Sequence, residues 1–267
     1  MNHIRTDALP VTRQLSSQQS LFESLPYTDP ASIPKKEDSA ASVLPGQKTP
    51  ARMGIKRDHG LIKDSLFTLQ RLDGWHVISE DYSYKTDSYY TILRMEMEGK
   101  RVEPSTAALI DAFVVPICLE RGKIAAIPVC EWEISQGYVP LPSIIYGLNY
   151  FASASEFFVV YDNETAKEVI KHLTNSGKYP FCYQKLEENT EIFRCTAIFG
   201  KTSASLEEIK NIAERIYKLF SIPLVQMVLV KNGEDYALSS LSPARYSHLS
   251  DDERSLLEAY LSSQEFL

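Results

Sequence analysis

The alternation of apolar and polar positions changes period several times along this chain, and each change predicts an element. Leu61 to Leu72 places Leu61, Ser65, Leu69 and Leu72 on one helical side with Leu66 beside them, and Gly74 follows as a helix terminator. Trp75-His76-Val77-Ile78-Ser79 reads as a short strand. Tyr89 to Met97 alternates in its second half and predicts a half-buried strand, with a turn at Glu98-Gly99-Lys100. Ser105 is a candidate N-cap for an apolar helix through Leu109, Phe113, Ile117 and Leu119, in which Pro116 predicts a kink. Gly137 to Asn149, rich in Pro, Tyr and Gly, reads as irregular.

The second half is more regular. Phe157 to Tyr161 predicts a strand, and Thr165 to Leu173 a helix with Ala166, Val169, Ile170 and Leu173 inward. Phe181–Leu186 and Ile192–Phe199 predict two more strands. Ser205-Leu206-Glu207-Glu208 has the form of a capping box, followed by a helix through Ile209, Ile212, Ile216 and Phe220. Leu224–Val230 and Tyr236–Ser239 predict a hairpin about Asn232-Gly233. Ser250-Asp251-Asp252-Glu253 caps a last helix carrying Leu256, Leu257, Tyr260 and Leu261. Helices and strands alternate, so the class is α/β, with α+β lobes.

The start of the chain is different. Six prolines between Pro10 and Pro50 interrupt a stretch rich in Ser, Gln and Lys, which leaves no period for a packed element. The organisation expected is a disordered tail over 1–55, with one apolar island at Ser20 to Tyr27. A small α/β unit over 56–104, a main domain over 105–249 and a C-terminal helix over 250–267 follow.

With 267 residues, 44% of them hydrophobic, 24% charged and a net charge of -7, the chain is of the globular type and has no basic surplus for nucleic acid. No apolar run reaches the roughly 20 residues of a membrane span, and no signal-like segment opens the chain, so a cytoplasmic location is expected. Cys118, Cys130, Cys182 and Cys195 form no close pair of the kind zinc draws on, and Cys182 and Cys195 fall in strands as buried thiols. His59, His76, His172 and His248 are dispersed, and no GxSxG, GxxxxGK or HExxH motif occurs.

From about Ala108 to Pro243 the order of segments resembles the ATP-grasp domain of carboxylate–amine ligases, RimK-type glutamate ligases above all. Ile124 to Val129 looks like the lead into the family's first subdomain. Ser143-Ile144-Ile145-Tyr146-Gly147 sits where the family has a strand carrying a phosphate-binding lysine, and Ser153-Ala154-Ser155 sits where a glycine-rich loop covers the phosphates. Tyr179 to Leu186 resembles the hinge strand on which adenine lies, which makes Gln184 and Leu186 candidate adenine contacts. Glu191-Ile192-Phe193-Arg194-Cys195 is similar to the family's acidic–apolar–Arg segment. The resemblance implies a two-lobed domain, with ATP as its nucleotide and magnesium between the phosphates.

In the family, an Asp, a Glu and an Asn of the closing hairpin hold that magnesium. Registered on Ser242-Pro243, those positions carry Gln226, Leu238 and Ser240, so all three ligands are replaced. Magnesium needs hard oxygen donors and clustered phosphates need cations, which Leu238 and Tyr146 do not supply. Glu187, Glu188, Glu234 and Asp235 are the nearest substitutes in sequence. Arg194, Gln184, Leu186, Ser153 and Ser155 remain as ligand-binding candidates, with no metal site assigned. A guanidinium in the apolar Arg194 strand must be paired or must face a cleft. The expectation is a non-catalytic, binding or regulatory ATP-grasp-like protein that takes a nucleotide or peptide in the old cleft and a protein partner through the tail. The alternative is an active ATP-dependent carboxylate–amine ligase with relocated metal ligands.

Overall fold

Three sheets carry the architecture of the described residues. In the computed structural model the described residues are 66–149, 156–187 and 190–262. The expected tail, Ser153, Ser155 and Glu188 lie outside them.

The first sheet has the order β1 (Leu66–Arg71), β2 (Gly74–Ser79), β3 (Val102–Glu103), with β1–β2 antiparallel and β2–β3 parallel. Two expectations are reversed here. The segment read as a helix ending at Leu72 supplies strand β1. The β1–β2 turn is Leu72-Asp73; Gly74 opens β2 with φ +146°, and a Cβ there would meet the Arg101 carbonyl at 2.7 Å. The segment from Tyr89, read as a strand, is helix α1 (Asp87–Met97). Its Thr86 hydroxyl accepts the Tyr89 N–H, and the i, i+4 pair Ser88 and Ile92 is its buried stripe, so capping and packing override the β-type composition.

Helix α2 (Thr106–Phe113) begins at Ser105 as expected, the hydroxyl accepting from Ala108 N–H at 3.1 Å. Pro116 does more than kink this helix. The chain breaks at Val114 and restarts as α3 (Val115–Ile124), with Pro116 in the first turn, where its missing N–H costs nothing.

The second sheet, order β4 (Glu133–Ser135), β7 (Phe181–Lys185), β5 (Ser143–Gly147), β6 (Phe158–Val160), is antiparallel throughout. Strand β5 lies inside the segment read as irregular. Helix α4 (Asn163–Leu173) presses Ala166, Val169, Ile170 and Leu173 against Ile145, Phe181 and Tyr183 on the outer face of this sheet. Because side chains alternate, Ile144, Tyr146, Cys182 and Gln184 point to the other face.

The third sheet is the antiparallel meander β8 (Glu191–Ile198), β9 (Leu224–Asn232), β10 (Asp235–Ser242). The β9–β10 loop is Gly233-Glu234, one residue later than expected, with Gly233 at φ +64° in the position where a two-residue hairpin favours glycine. Helix α5 (Glu207–Phe220) buries Ile209, Ile212, Ala213 and Ile216 in the core that includes Met227, Leu229 and Leu241. Its N-cap is Leu206, with no side-chain cap; Glu208 accepts the Tyr236 N–H at 3.2 Å instead of closing a box with Ser205. The final helix α6 (Asp251–Ser262) does close its capping box: Glu253 N–H donates to Ser250 Oγ, and Ser250 N–H to the Glu253 carboxylate.

The second and third sheets are stitched by the chain between α3 and β4. Val129 bridges Leu238 in parallel, Leu238 N–H donates to the Pro128 carbonyl, and Cys130 N–H donates to the Leu238 carbonyl. A few residues on, the same segment becomes β4 at the edge of the second sheet.

Candidate functional site

Side chains from the second and third sheets meet on the segments that the resemblance equates with phosphate, adenine and metal contacts. A bulge between Leu238 and Ser240 is the cause. Leu238 pairs with Leu229 and is fully buried in the hydrophobic core, while Ser240 pairs with Val228, the partner of Arg194 on β8. Ser239 is the extra residue, and its side chain reaches the second sheet.

The result is a closed polar network. The Tyr146 hydroxyl and Ser239 Oγ are 2.6 Å apart, Ser239 Oγ donates to Gln184 Oε1 at 2.6 Å, and Gln184 Nε2 donates to the Ser239 carbonyl at 2.8 Å. Tyr146, Gln184 and Ser239 are 2%, 1% and 0% exposed, so water does not share these bonds. Burial pushes the Tyr146 phenol far above its ordinary range, against a smaller downward pull from the Ser239 hydroxyl. It is a neutral donor here and cannot replace a lysine's charge. Cys182 packs beside Tyr146 across the β5–β7 ladder, its thiol pushed up to about 12 by burial.

The hinge candidates are also engaged. Gln184 pairs with Ile144 in the ladder, and Leu186 is buried with its N–H donating to the Pro142 carbonyl at 2.9 Å. The Leu186 N–H that could meet an adenine edge therefore already has a partner.

Arg194 is exposed, and its guanidinium lies 4.9 Å over the Phe157 ring. Phe157 in turn lies 5.9 Å from Tyr146, so an arginine–phenylalanine–tyrosine column runs from the surface to the network. Among the described residues Arg194 has no ion pair. It is neither of the alternatives in pure form, being stacked on an aromatic at the rim.

The positions equated with metal ligands separate. Gln226 is half-buried on the rung Thr196–Gln226–Ser242, next to Arg194–Val228–Ser240 and on the same face. Ser240 is fully buried, its hydroxyl near enough to the Tyr146 phenol to draw that group's pKa down but outside good hydrogen-bond geometry. Leu238 points away from both. Glu187, Glu234 and Asp235 are exposed, and they join no cluster of metal-ligating groups among the described residues. A hollow of about 320 Å³ does exist on α5, lined by Pro128, Glu208, Asn211, Ile212 and Arg215, and no network residue borders it.

Sequence reasoning missed Ser239 because a bulge cannot be read from alternation. It also missed a cluster at the first sheet, Asp73, His76 and Glu103; the Asp73–His76 spacing of three residues was visible, but the pairing of β2 with β3 that brings Glu103 beside them was not.

The sheet order and strand pairing can be set against known structures. The D-alanine–D-alanine ligase of Helicobacter pylori superposes with a TM-score of 0.51 at 13% identity, over 66% of this chain and 66% of that one. This is an ATP-grasp-like fold. The corresponding ligase of Bacillus anthracis complexed with ATP gives 0.50 at 10% identity, covering 66% of this chain and 70% of the other. A RimK domain ATP-grasp protein of Sphaerobacter thermophilus gives 0.45 at 14%, covering 64% and 71%. Residues 154–260 of the ATP-grasp-like chain match the family model described as RimK-like ATPgrasp N-terminal domain. The chain thus spans about two thirds of the length of the ligases it resembles. No curated protein sequence matches it. Among the described residues, no helix is long and apolar enough to cross a membrane.

Proposed function

We propose that this ATP-grasp-like protein is non-catalytic and acts as a binding or regulatory partner in the cytoplasm. The observation that carries the reading is the buried Tyr146–Ser239–Gln184 network. Its residues come from the strand equated with phosphate binding, the hinge strand and the metal-binding hairpin, and they spend their hydrogen-bonding capacity on each other. A nucleotide seated there would have to displace a buried, hydrogen-bonded network without gaining a lysine or a carboxylate–magnesium pair in return. Any nucleotide or peptide contact falls to the rim, where Arg194 and Phe157 offer a cation and a ring.

The test is calorimetric titration of the folded protein with ATP, with and without magnesium, alongside an assay for ADP release. Absence of magnesium-dependent binding and turnover is the expected result. Magnesium-dependent ATP binding would overturn the reading and restore the carboxylate–amine ligase, with acids such as Glu187 and Glu234 as its relocated ligands.

A further inference from the structure

The hairpin of the first sheet holds an arrangement that its own hydrogen bonds do not complete. His76, on β2, is 1% exposed. Its Nε2 lies 3.2 Å from Asp73 Oδ1, and its Nδ1 lies 3.7 Å from Glu103 Oε2 on the neighbouring strand β3. A neutral imidazole has one donor and one acceptor nitrogen. With Nε2–H given to Asp73, Nδ1 presents a lone pair to a carboxylate, and it makes no hydrogen bond among the described residues. Two acceptors facing each other at a buried nitrogen call for either a proton or a metal ion between them.

The geometry points to a divalent transition-metal site of the zinc class, with His76 Nδ1 and Glu103 Oε2 as ligands and Asp73 as a positioning residue. The roles follow from the contacts. Imidazole nitrogen with carboxylate oxygen is a donor set that zinc accepts, whereas magnesium and calcium prefer oxygen alone. Ligands about 2.0–2.2 Å from a tetrahedral ion stand about 3.4 Å apart, close to the 3.7 Å seen between Nδ1 and Oε2. Asp73 on the far nitrogen fixes the tautomer and ring orientation, as carboxylates do for metal-bound histidines. Arg101 Nη2 lies 3.6 Å from the other Glu103 oxygen, which leaves Oε2 for the ion. The Asp73 and Glu103 side chains are 55% and 22% exposed, so an ion and its waters can enter from solvent. Such an ion would pin β3 to the β1–β2 hairpin, whose pairing with β3 spans only two residues.

The experiment uses the full chain, without an affinity tag, titrated with zinc chloride against a chromogenic chelator. Asp73→Asn and Glu103→Gln are compared with the parent, since both side chains reach solvent and the fold does not depend on burying them. His3 and His59 are present in every variant, so the readout is the difference. The parent is expected to hold one zinc more tightly than the variants, with Asp73→Asn weakened about 10–100-fold and Glu103→Gln at least as much. Zinc at a hundredfold excess over Kd should raise the parent Tm by about 5–10 °C and leave Glu103→Gln nearly unmoved. Equal zinc affinity in all three proteins would overturn the proposal, as would a parent that takes up no zinc, in which case a proton holds His76 between its two acids.

Discussion

Replacing Ser239 by alanine tests whether the space between the sheets is closed. In the parent protein the Tyr146 hydroxyl and Gln184 Oε1 both meet Ser239 Oγ, and all three residues are at most 2% exposed. Ser239→Ala leaves the phenol and the amide oxygen without partners in a dry site. At about 1–3 kcal/mol for each unpaired buried group, the loss is about 3 kcal/mol, or about 6–12 °C in Tm for a domain of this size. Tyr146→Phe removes only one partner and leaves Ser239 donating to Gln184, which should cost about 1 kcal/mol. The decisive quantity is the sign in combination. On the Ser239→Ala background the phenol is itself the unpaired group, so adding Tyr146→Phe should restore stability rather than lower it further. Urea unfolding of the four proteins, followed by circular dichroism, measures this. If Ser239→Ala costs under about 0.5 kcal/mol, or if the two substitutions simply add, water reaches the network and the filled-cleft reading fails.

Other expectations follow from burial, backbone and caps. Burial raises the thiols of Cys118, Cys130 and Cys182 to about 12 from their ordinary 9, so the folded state holds those protons more tightly than the unfolded one. Their contribution to stability is complete below pH 9 and is lost as pH climbs from 9 towards 12. The urea midpoint should fall over that range, less steeply in Cys118→Ala, and Cys118 should resist a thiol reagent at pH 8 until the protein unfolds. Gly200, at φ +74°, would bring a Cβ to 2.8 Å from Tyr217 Cβ, so Gly200→Ala should lower stability by about 1–3 kcal/mol in the same assay. Ser250→Ala opens the capping box of α6 and should cost about 0.5–2 kcal/mol, with amide exchange fastest in that helix's first turn.

Much of the fold was legible where one local signal dominates. Helix α4 shows Ala166, Val169, Ile170 and Leu173 at helical spacing behind the Asp162 cap, and the β9–β10 hairpin announces itself at Asn232-Gly233. The first sheet was misread because periodicity over a dozen residues is ambiguous when tertiary pairing decides. Leu61, Leu69 and Leu72 suit a helix by spacing, yet Leu66 to Arg71 pairs residue by residue with β2. In α1, Tyr89, Tyr90, Thr91 and Ile92 favour a strand by composition, and the Thr86 cap decides otherwise. The resemblance placed Tyr146, Gln184 and the closing hairpin in one neighbourhood, but not what they do there. Ser239 lies 55 residues from Gln184 and 93 from Tyr146, and it faces them only because β10 carries one extra residue. Replaced residues at three positions can be read from letters; a contact made by a register shift cannot.

The stitched segment from Pro128 to Ser135 has a mechanical consequence. A clamp that admits and releases a ligand needs a seam of low strength along which its halves part. Here that line is crossed by a continuous run of backbone, bonded to Leu238 at one end and to β7 at the other, with Ser239 riveted between Tyr146 and Gln184 at its centre. Parting the halves would break several buried bonds together, so opening along this line should cost far more than fraying a strand edge, and slow amide exchange at Cys130 and Leu238 would report it.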